Sequence, residues 1–543
     1  MFEDIDVPTL RSKKSKRKVS VEEDDSSVST LDGDDEVSDL SADTEDMDDT
    51  LAEGAEWLRA QGTLTRRRTI DAAPSSRTQN VATGSVIISS SPSDSIWLPL
   101  PEETFRQHLL ELEKRTNAVP IDPQTFPLKE SEKPEGYMLP LQVEQQLADD
   151  FAFLAAIEEG AQSVAAVCLE EHVQPIGLTV RFAALDLALS GEVKTSLQQI
   201  ADSLTLRTHE VDESTRIDEL FDRIVKLHYR RLLARLRSSK WEKPKFLSKQ
   251  HKKPLWQDFA NLLHRVQFLY TKREASSRRS VENHLRNLAP FYEAFEASEA
   301  GSPVESESLK QLIKASWHLC RSKDVAEFAR RLEDSPSTTP TAKVGSAIKC
   351  LRQIEKIAAY WRIAASLVAT SQTYAPLFQS KLQMHFLTPY SSVPTAIGYE
   401  TWATSCHVHA EVQLAVHYDL LHQSSHITET NIGSPESVFR QPRVIGTSKW
   451  LCYLCFLFLR SHGRYVPANT HGRLYDQWTV PDLAEFGGET RTRYRNIVDA
   501  MDKEVLRETG STGSAQAEEP GLVRWRAEPM TSRQNLLNAE SVD

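Results

Sequence analysis

Two short motifs carry residue types that can do chemistry: His409-Ala410-Glu411 and, beginning 41 positions after Glu411, Cys452-Tyr453-Leu454-Cys455. One imidazole and two thiols make a borderline-soft nitrogen and sulfur donor set suited to zinc, and three protein ligands leave the fourth tetrahedral position free for water. A helix over 450–461 places the two cysteines at i and i+3, on one face near its start, where the positive helix end favours thiolates. In a helix beginning near His409, Glu411 shares a face with Leu414, Ala415 and Tyr418 and points inward, where an unpaired carboxylate is expensive. Beside a water that zinc acidifies to a pKa of ~7, the buried carboxylate acquires a use, taking a proton from the water and returning it to a leaving group. Two other readings stand beside this one. The cysteines lie in the ten-residue apolar run 450–459 and can be inert core thiols. The metal can also be purely structural, with Cys406 or His407 as its fourth ligand.

The elements that must position these residues follow from periodicity. After about residue 380 the pattern predicts a strand at 384–388, a helix at 409–422, strands at 443–445 and 464–467, and helices at 450–461 and 495–509. Strands alternating with helices indicate a layered α/β unit over 381–510. The region 96–380 reads as mainly α-helical, with apolar stripes such as Ile217, Leu220, Phe221, Ile224 and Leu351, Ile354, Ile357, Ala358, Trp361, and one strand at 177–187. Residues 335–341 mark a loop between helices. Residues 1–95 are rich in Ser, Asp and Glu and read as disordered, and 511–543 as a flexible tail.

A His-x-Glu followed by a Cys-x-x-Cys resembles the cytidine-deaminase superfamily of zinc enzymes that act on nucleobases. Ile445-Gly446-Thr447-Ser448-Lys449 running into Cys452, then Tyr465, Thr470-His471-Gly472 and Trp478, is similar more specifically to a mostly fungal deaminase-like family whose substrate is not established. The resemblance spans about 380–485 and extends faintly to 167–171 and the strand at 177. It implies a C-terminal three-layer α/β/α domain, His409, Cys452 and Cys455 as zinc ligands, and Glu411 as the proton shuttle. Leu451 precedes the first cysteine where the superfamily usually has Pro, a departure from free-nucleoside deaminases that leaves the metal set intact. Asn469, His471 and Tyr475 are candidates for orienting the base. The expected function is therefore hydrolytic deamination of a base in a nucleotide or nucleic acid, with a catalytically inactive zinc-stabilised scaffold as the alternative.

Composition sets the remaining bounds. The chain has 543 residues and a net charge of -13, but residues 1–56 hold six basic and nineteen acidic residues, so the rest is balanced at 58 of each. The acidic arm therefore carries the charge, behind a basic cluster at 11–18 that reads equally as a nuclear signal and as an undirected tract. The apolar run 450–459 falls short of the ~20 residues a membrane span needs. A start without an apolar leader predicts no secretion, and six sparse cysteines predict a reducing compartment, cytoplasm or nucleus. Cys168, Cys320 and Cys350 fall on apolar faces and read as core. Between 226 and 253 there are eleven basic residues against one acid, Glu242. Arg230, Arg231, Arg235, Lys240, Trp241 and Lys245 form the candidate patch for single-stranded nucleic acid, which mixes cations with aromatic faces. The same charge also fits a solvated helix end, or a surface against which the acidic arm folds back as an intramolecular mimic of nucleic acid.

Overall fold

The computed structural model describes residues 94–98, 100–129, 136–157, 164–185, 189–205, 212–243, 253–334, 341–398, 404–428 and 439–511. The acidic arm, the basic cluster at 11–18, Lys245 and the tail after 511 lie outside these residues. The order is α1 (Glu102–Thr116), β1 (Gln124–Thr125), α2 (Leu141–Ala155), β2 (Ala165–Val173) and β3 (Ile176–Ala184). Helices follow: α3 (Gly191–Leu204), α4 (Glu213–Leu227), α5 (Tyr229–Leu236), α6 (Phe259–Leu269), α7 (Ala275–Ala297), α8 (Pro303–Cys320), α9 (Lys323–Glu333), α10 (Thr341–Thr373) and α11 (Ala375–Phe378). Then come β4 (Gln383–Phe386), β5 (Val393–Pro394), β6 (Ser405–Val408), α12 (Ala410–Thr428), β7 (Phe439–Arg440), β8 (Gly446–Thr447), α13 (Tyr453–His462), β9 (Asn469–Thr470), β10 (Trp478–Thr479) and α14 (Gly488–Ser511).

The chain is helix-rich α/β with mixed sheets. Its main sheet runs β4-β3-β2-β7, with β8 pairing β2 on the same edge as β7. β2 and β3 are an antiparallel hairpin, whereas β3 and β4 are parallel. A parallel pair needs a crossover, because the chain must return to the same end of the sheet. Here the crossover is the whole stretch from α3 to α11, so the helical region is built into the sheet between two neighbouring strands. The single strand expected before residue 380, at 177–187, is β3, and a second strand, β2, pairs with it along its whole length. The β2 strand escaped the sequence reading because it is buried on both faces, and such strands read as continuous apolar runs instead of alternating ones.

Alternation is visible once the two cores are separated. Val167, Leu169, Leu178, Val180 and Phe182 pack with Leu147, Phe151 and the helical layer, while Ala166, Cys168 and Ala183 pack with α12 and α13. The sheet is thus sandwiched between helices. Within the helical layer α10 packs on α2, α4, α6 and α8, and its Arg362 makes a buried ion pair with Asp150 of α2. On the other face, buried Glu170 of β2 accepts hydrogen bonds from Arg181 Nε at 2.6 Å and from the Tyr418 hydroxyl at 2.7 Å, pinning α12 to the sheet. Among the described residues no helix is long and apolar enough to cross a membrane.

The candidate metal centre

α12 and α13 bring the two motifs together. β6 ends at Val408, and His409 is the link into α12, with its carbonyl accepting the Gln413 N–H at 3.0 Å. The Gln413 side chain fixes this junction. Its Nε2 lies 2.8 Å from Val408 O and 2.8 Å from Ala184 O, tying the end of β6 to the end of β3. Cys452 is the N-cap of α13, and its Sγ accepts the Cys455 N–H at 3.3 Å. The sulfur thus does the work of a capping oxygen and stands where the helix end favours negative charge. Gly463, at φ 73° in the left-handed region, closes the other end of α13.

His409 Nδ1 is 3.7 Å from Cys452 Sγ and 3.4 Å from Cys455 Sγ, and the three ligand atoms all lie within 4.8 Å of one another. Tetrahedral bonds of about 2.3 Å to sulfur and about 2.05 Å to nitrogen set S···N separations of about 3.5 Å. The residues present therefore fit a tetrahedral ion without rearrangement. Among the described residues this is the one group of three or more His, Cys, Asp or Glu side chains close enough to hold a metal. Cys406 and His407 do not join it: the Cys406 thiol meets the Arg106 guanidinium, and His407 Nε2 pairs with Ser405 Oγ at 3.2 Å.

Glu411 lies in the first turn of α12, 4% exposed, with Oε2 accepting from Cys455 Sγ at 3.4 Å. It stands beside the ligand group without belonging to it. Burial pushes its carboxyl above the ordinary range, against the pull of His409. Burial also pushes the Cys452 thiol up, but Cys455 and His409 outweigh it and hold Cys452 well below the usual thiol range. The Cys455 thiol goes the other way, raised by burial and by its neighbour Cys452. The Trp478 indole N–H, which has no other partner, favours the Cys455 thiolate.

The loop after α13 holds Cys452 from outside. Thr470 Oγ1 and the His471 N–H both donate to Leu451 O, at 2.9 and 3.0 Å, Asn469 Oδ1 accepts the Leu451 N–H at 3.4 Å, and the Tyr453 N–H donates to Arg473 O. His471 Nδ1 accepts the Arg473 N–H, and its ring meets that of Tyr475 edge-on at 5.9 Å. The motif Thr470-His471-Gly472 is therefore a clamp on the residues that flank Cys452. Gly472 is required there: at φ 73° a Cβ would stand 1.9 Å from Ile121 O. β1 pairs with β9 over the same loop, and the Phe126 ring stacks on Phe456 at 5.0 Å.

The basic patch is dispersed by the fold. Arg235 lies over Phe153 and Tyr360 and donates to Lys356 O, and Arg231 lies over Phe153. Lys240 is paired with Glu305 at 3.0 Å and donates to Phe295 O, while Trp241 packs on the helical core. Arg230 is exposed. Arg231, Arg235 and Lys240 are thus engaged with rings, carbonyls and a carboxylate of the helical layer.

Sequence reasoning missed three supports of the centre: Gln413, Phe126 and the buried cluster around Asp419. Asp419, two turns along α12 from Glu411, accepts from His462 Nε2 at 2.8 Å, Arg464 at 2.8 Å and Arg493 at 3.1 Å, joining α12, α13 and α14. For Asp419, as for Glu411, an acid on an apolar helix face was the available signal; the other two supports are contacts across long stretches of chain.

No curated protein and no solved structure matches the chain. Residues 408–482, which run from the end of β6 past the loop that clamps Cys452, match the model of the OTT_1508_deam-like deaminase family, so the segment holding His409, Glu411, Cys452 and Cys455 is related to a deaminase.

Proposed function

We propose that this chain is a zinc-dependent hydrolytic deaminase that removes the amino group of a nucleobase carried in a nucleotide or a nucleic acid. The position of Glu411 carries the reading: a buried carboxylate 3.4 Å from a ligand sulfur, outside the ligand set, is of use to a hydrolytic site and of none to a structural one. His409 Nδ1, Cys452 Sγ and Cys455 Sγ would hold zinc, which would supply the Lewis acidity that lowers the pKa of a water to ~7. Glu411 accepts the proton as the water oxygen adds to the amidine carbon, and delivers it to the nitrogen that departs as ammonia. The raised carboxyl pKa suits both halves of that transfer. Asn469, His471 and Tyr475, in the loop bonded to Leu451, orient the base. Six free cysteines fit a reducing interior, cytoplasm or nucleus.

The test pairs metal content with ammonia release on cytidine, adenosine, their nucleotides, and single-stranded DNA and RNA. Glu411→Gln keeps its zinc and loses at least ~10²-fold in ammonia release, the contribution of a general acid and base. Cys452→Ser loses the metal. Unchanged turnover in Glu411→Gln would remove its role, and a zinc-loaded wild type that releases no ammonia from any of these substrates would leave the scaffold reading.

A further inference from the structure

The two ligand sulfurs are also arranged for a second chemistry, which rests on the metal reading above. We propose that Cys452 and Cys455 are a redox-closing pair: with the metal gone, a hydroperoxide joins them as a disulfide, and the centre takes up no metal until a thiol reductant reopens it.

Both sulfurs sit in one helical turn. The Cys452 Sγ accepts the Cys455 N–H, Cys455 Sγ points at Glu411 Oε2, and both face the same nitrogen of His409. The two sulfurs start within 4.8 Å of each other. The remaining cysteines have other surroundings. Cys168 bonds Val444 O on the sheet face, Cys350 is in the helical core, Cys406 faces Arg106, and Cys320 lies at the end of α8. His409 is the half-exposed member of the trio and marks the side from which a small oxidant enters.

Cys452, the less buried sulfur, attacks the outer oxygen of ROOH; the O–O bond breaks, ROH leaves with a proton, and Cys452 becomes a sulfenic acid. The Cys455 sulfur then displaces hydroxide, forming the S–S bond. Its own proton, already directed at Glu411, leaves with the hydroxide as water. Each sulfur gives up one electron and the peroxide oxygens gain two. The disulfide and the metal exclude each other, because bonded sulfurs stand about 2.05 Å apart whereas two sulfurs on one tetrahedral zinc stand about 3.8 Å apart.

The experiment strips zinc from the full-length protein with a chelator, treats the metal-free protein with hydrogen peroxide, measures zinc uptake afterwards with a chromophoric indicator, and maps the cysteines by tryptic digestion. Cleavage after Lys449 and Arg460 leaves both cysteines in the single peptide 450–460, so the disulfide reads as a loss of about 2 Da within that peptide. One zinc equivalent of uptake lost per disulfide, two of the six thiols lost, and recovery of both by dithiothreitol are expected, with Cys406→Ser behaving as the wild type. Cys455→Ser, given dimedone, is expected to trap sulfenic acid at Cys452 instead. Sulfinic or sulfonic acid at Cys452, a disulfide to another cysteine, or loss of zinc uptake without the mass loss would overturn the proposal. A chain that never binds zinc would sink the metal reading, and the peptide mass after peroxide would still decide the pair.

Discussion

Replacing Gly446 by alanine should loosen the sheet and the approach to Cys452 together. Gly446 of β8 faces the α2 backbone so closely that a Cβ would stand 2.3 Å from the Ala148 carbonyl carbon and 2.4 Å from the Asp149 nitrogen, against the ~3.5 to 4.0 Å of ordinary carbon contacts. Neither obstacle is a flexible side chain, so helix and strand must separate by more than about 1 Å. Forcing an extra methyl group into a packed core costs roughly 1 to 3 kcal/mol. The same separation breaks the hydrogen bond from the Thr447 N–H to Asp149 Oδ1, 2.8 Å long and buried, at about 1 kcal/mol more. The total is roughly 2 to 4 kcal/mol in urea unfolding of the metal-free protein. Since Thr447 leads through Ser448, which exchanges hydrogen bonds with Ala165 of β2, into the Cys452 loop, zinc affinity should fall as well. Gly463→Ala is the control, because it meets open space and carries only the strain of its positive φ. A loss below about 1 kcal/mol in Gly446→Ala, with zinc affinity unchanged, would refute the reasoning.

Other outcomes follow from the buried polar groups. Burial, helped by the cations of Arg231 and Arg235, holds the His228 pKa well below its ordinary value, so the folded protein keeps it neutral while the unfolded chain takes up a proton below pH ~6.5. Stability from this group is present above that pH and lost below it, by about 1.4 kcal/mol at pH 5.5. His228→Gln, which can still bond Leu154 O and the Tyr360 hydroxyl, should flatten that part of the pH profile, and an unaltered slope would count against it. Asp419→Ala leaves Arg464, Arg493 and His462 without their shared acceptor and should cost roughly 3 to 5 kcal/mol, read by denaturant midpoint. A loss under about 1 kcal/mol would mean that the three helices do not depend on it.

The centre was legible in the sequence because its chemistry is local. His409 and Glu411 are two apart, Cys452 and Cys455 three apart, and spacing on a helix face is enough to say that Glu411 points inward and that the two sulfurs share one side. The helices at 409, 450 and 495 were legible for the same reason, each being a periodic pattern of its own. A run of charges in sequence does not say where each side chain turns: Arg235 and Lys240 turn inward, to ring faces and carbonyls that lie up to 121 residues away.

What the sequence determined by itself was the candidate set, one imidazole, two thiols and a carboxylate, since residue type and helical register depend on near neighbours. The tertiary structure decided which sheet they hang from, that the helical region is a crossover inside that sheet, and that Gln413, Thr470 and Asp419 hold the two motifs within bonding reach of one ion. Strand pairing and burial are long-range events, and β2, buried on both faces, declares its partners only once β3, β7 and β8 have been placed beside it.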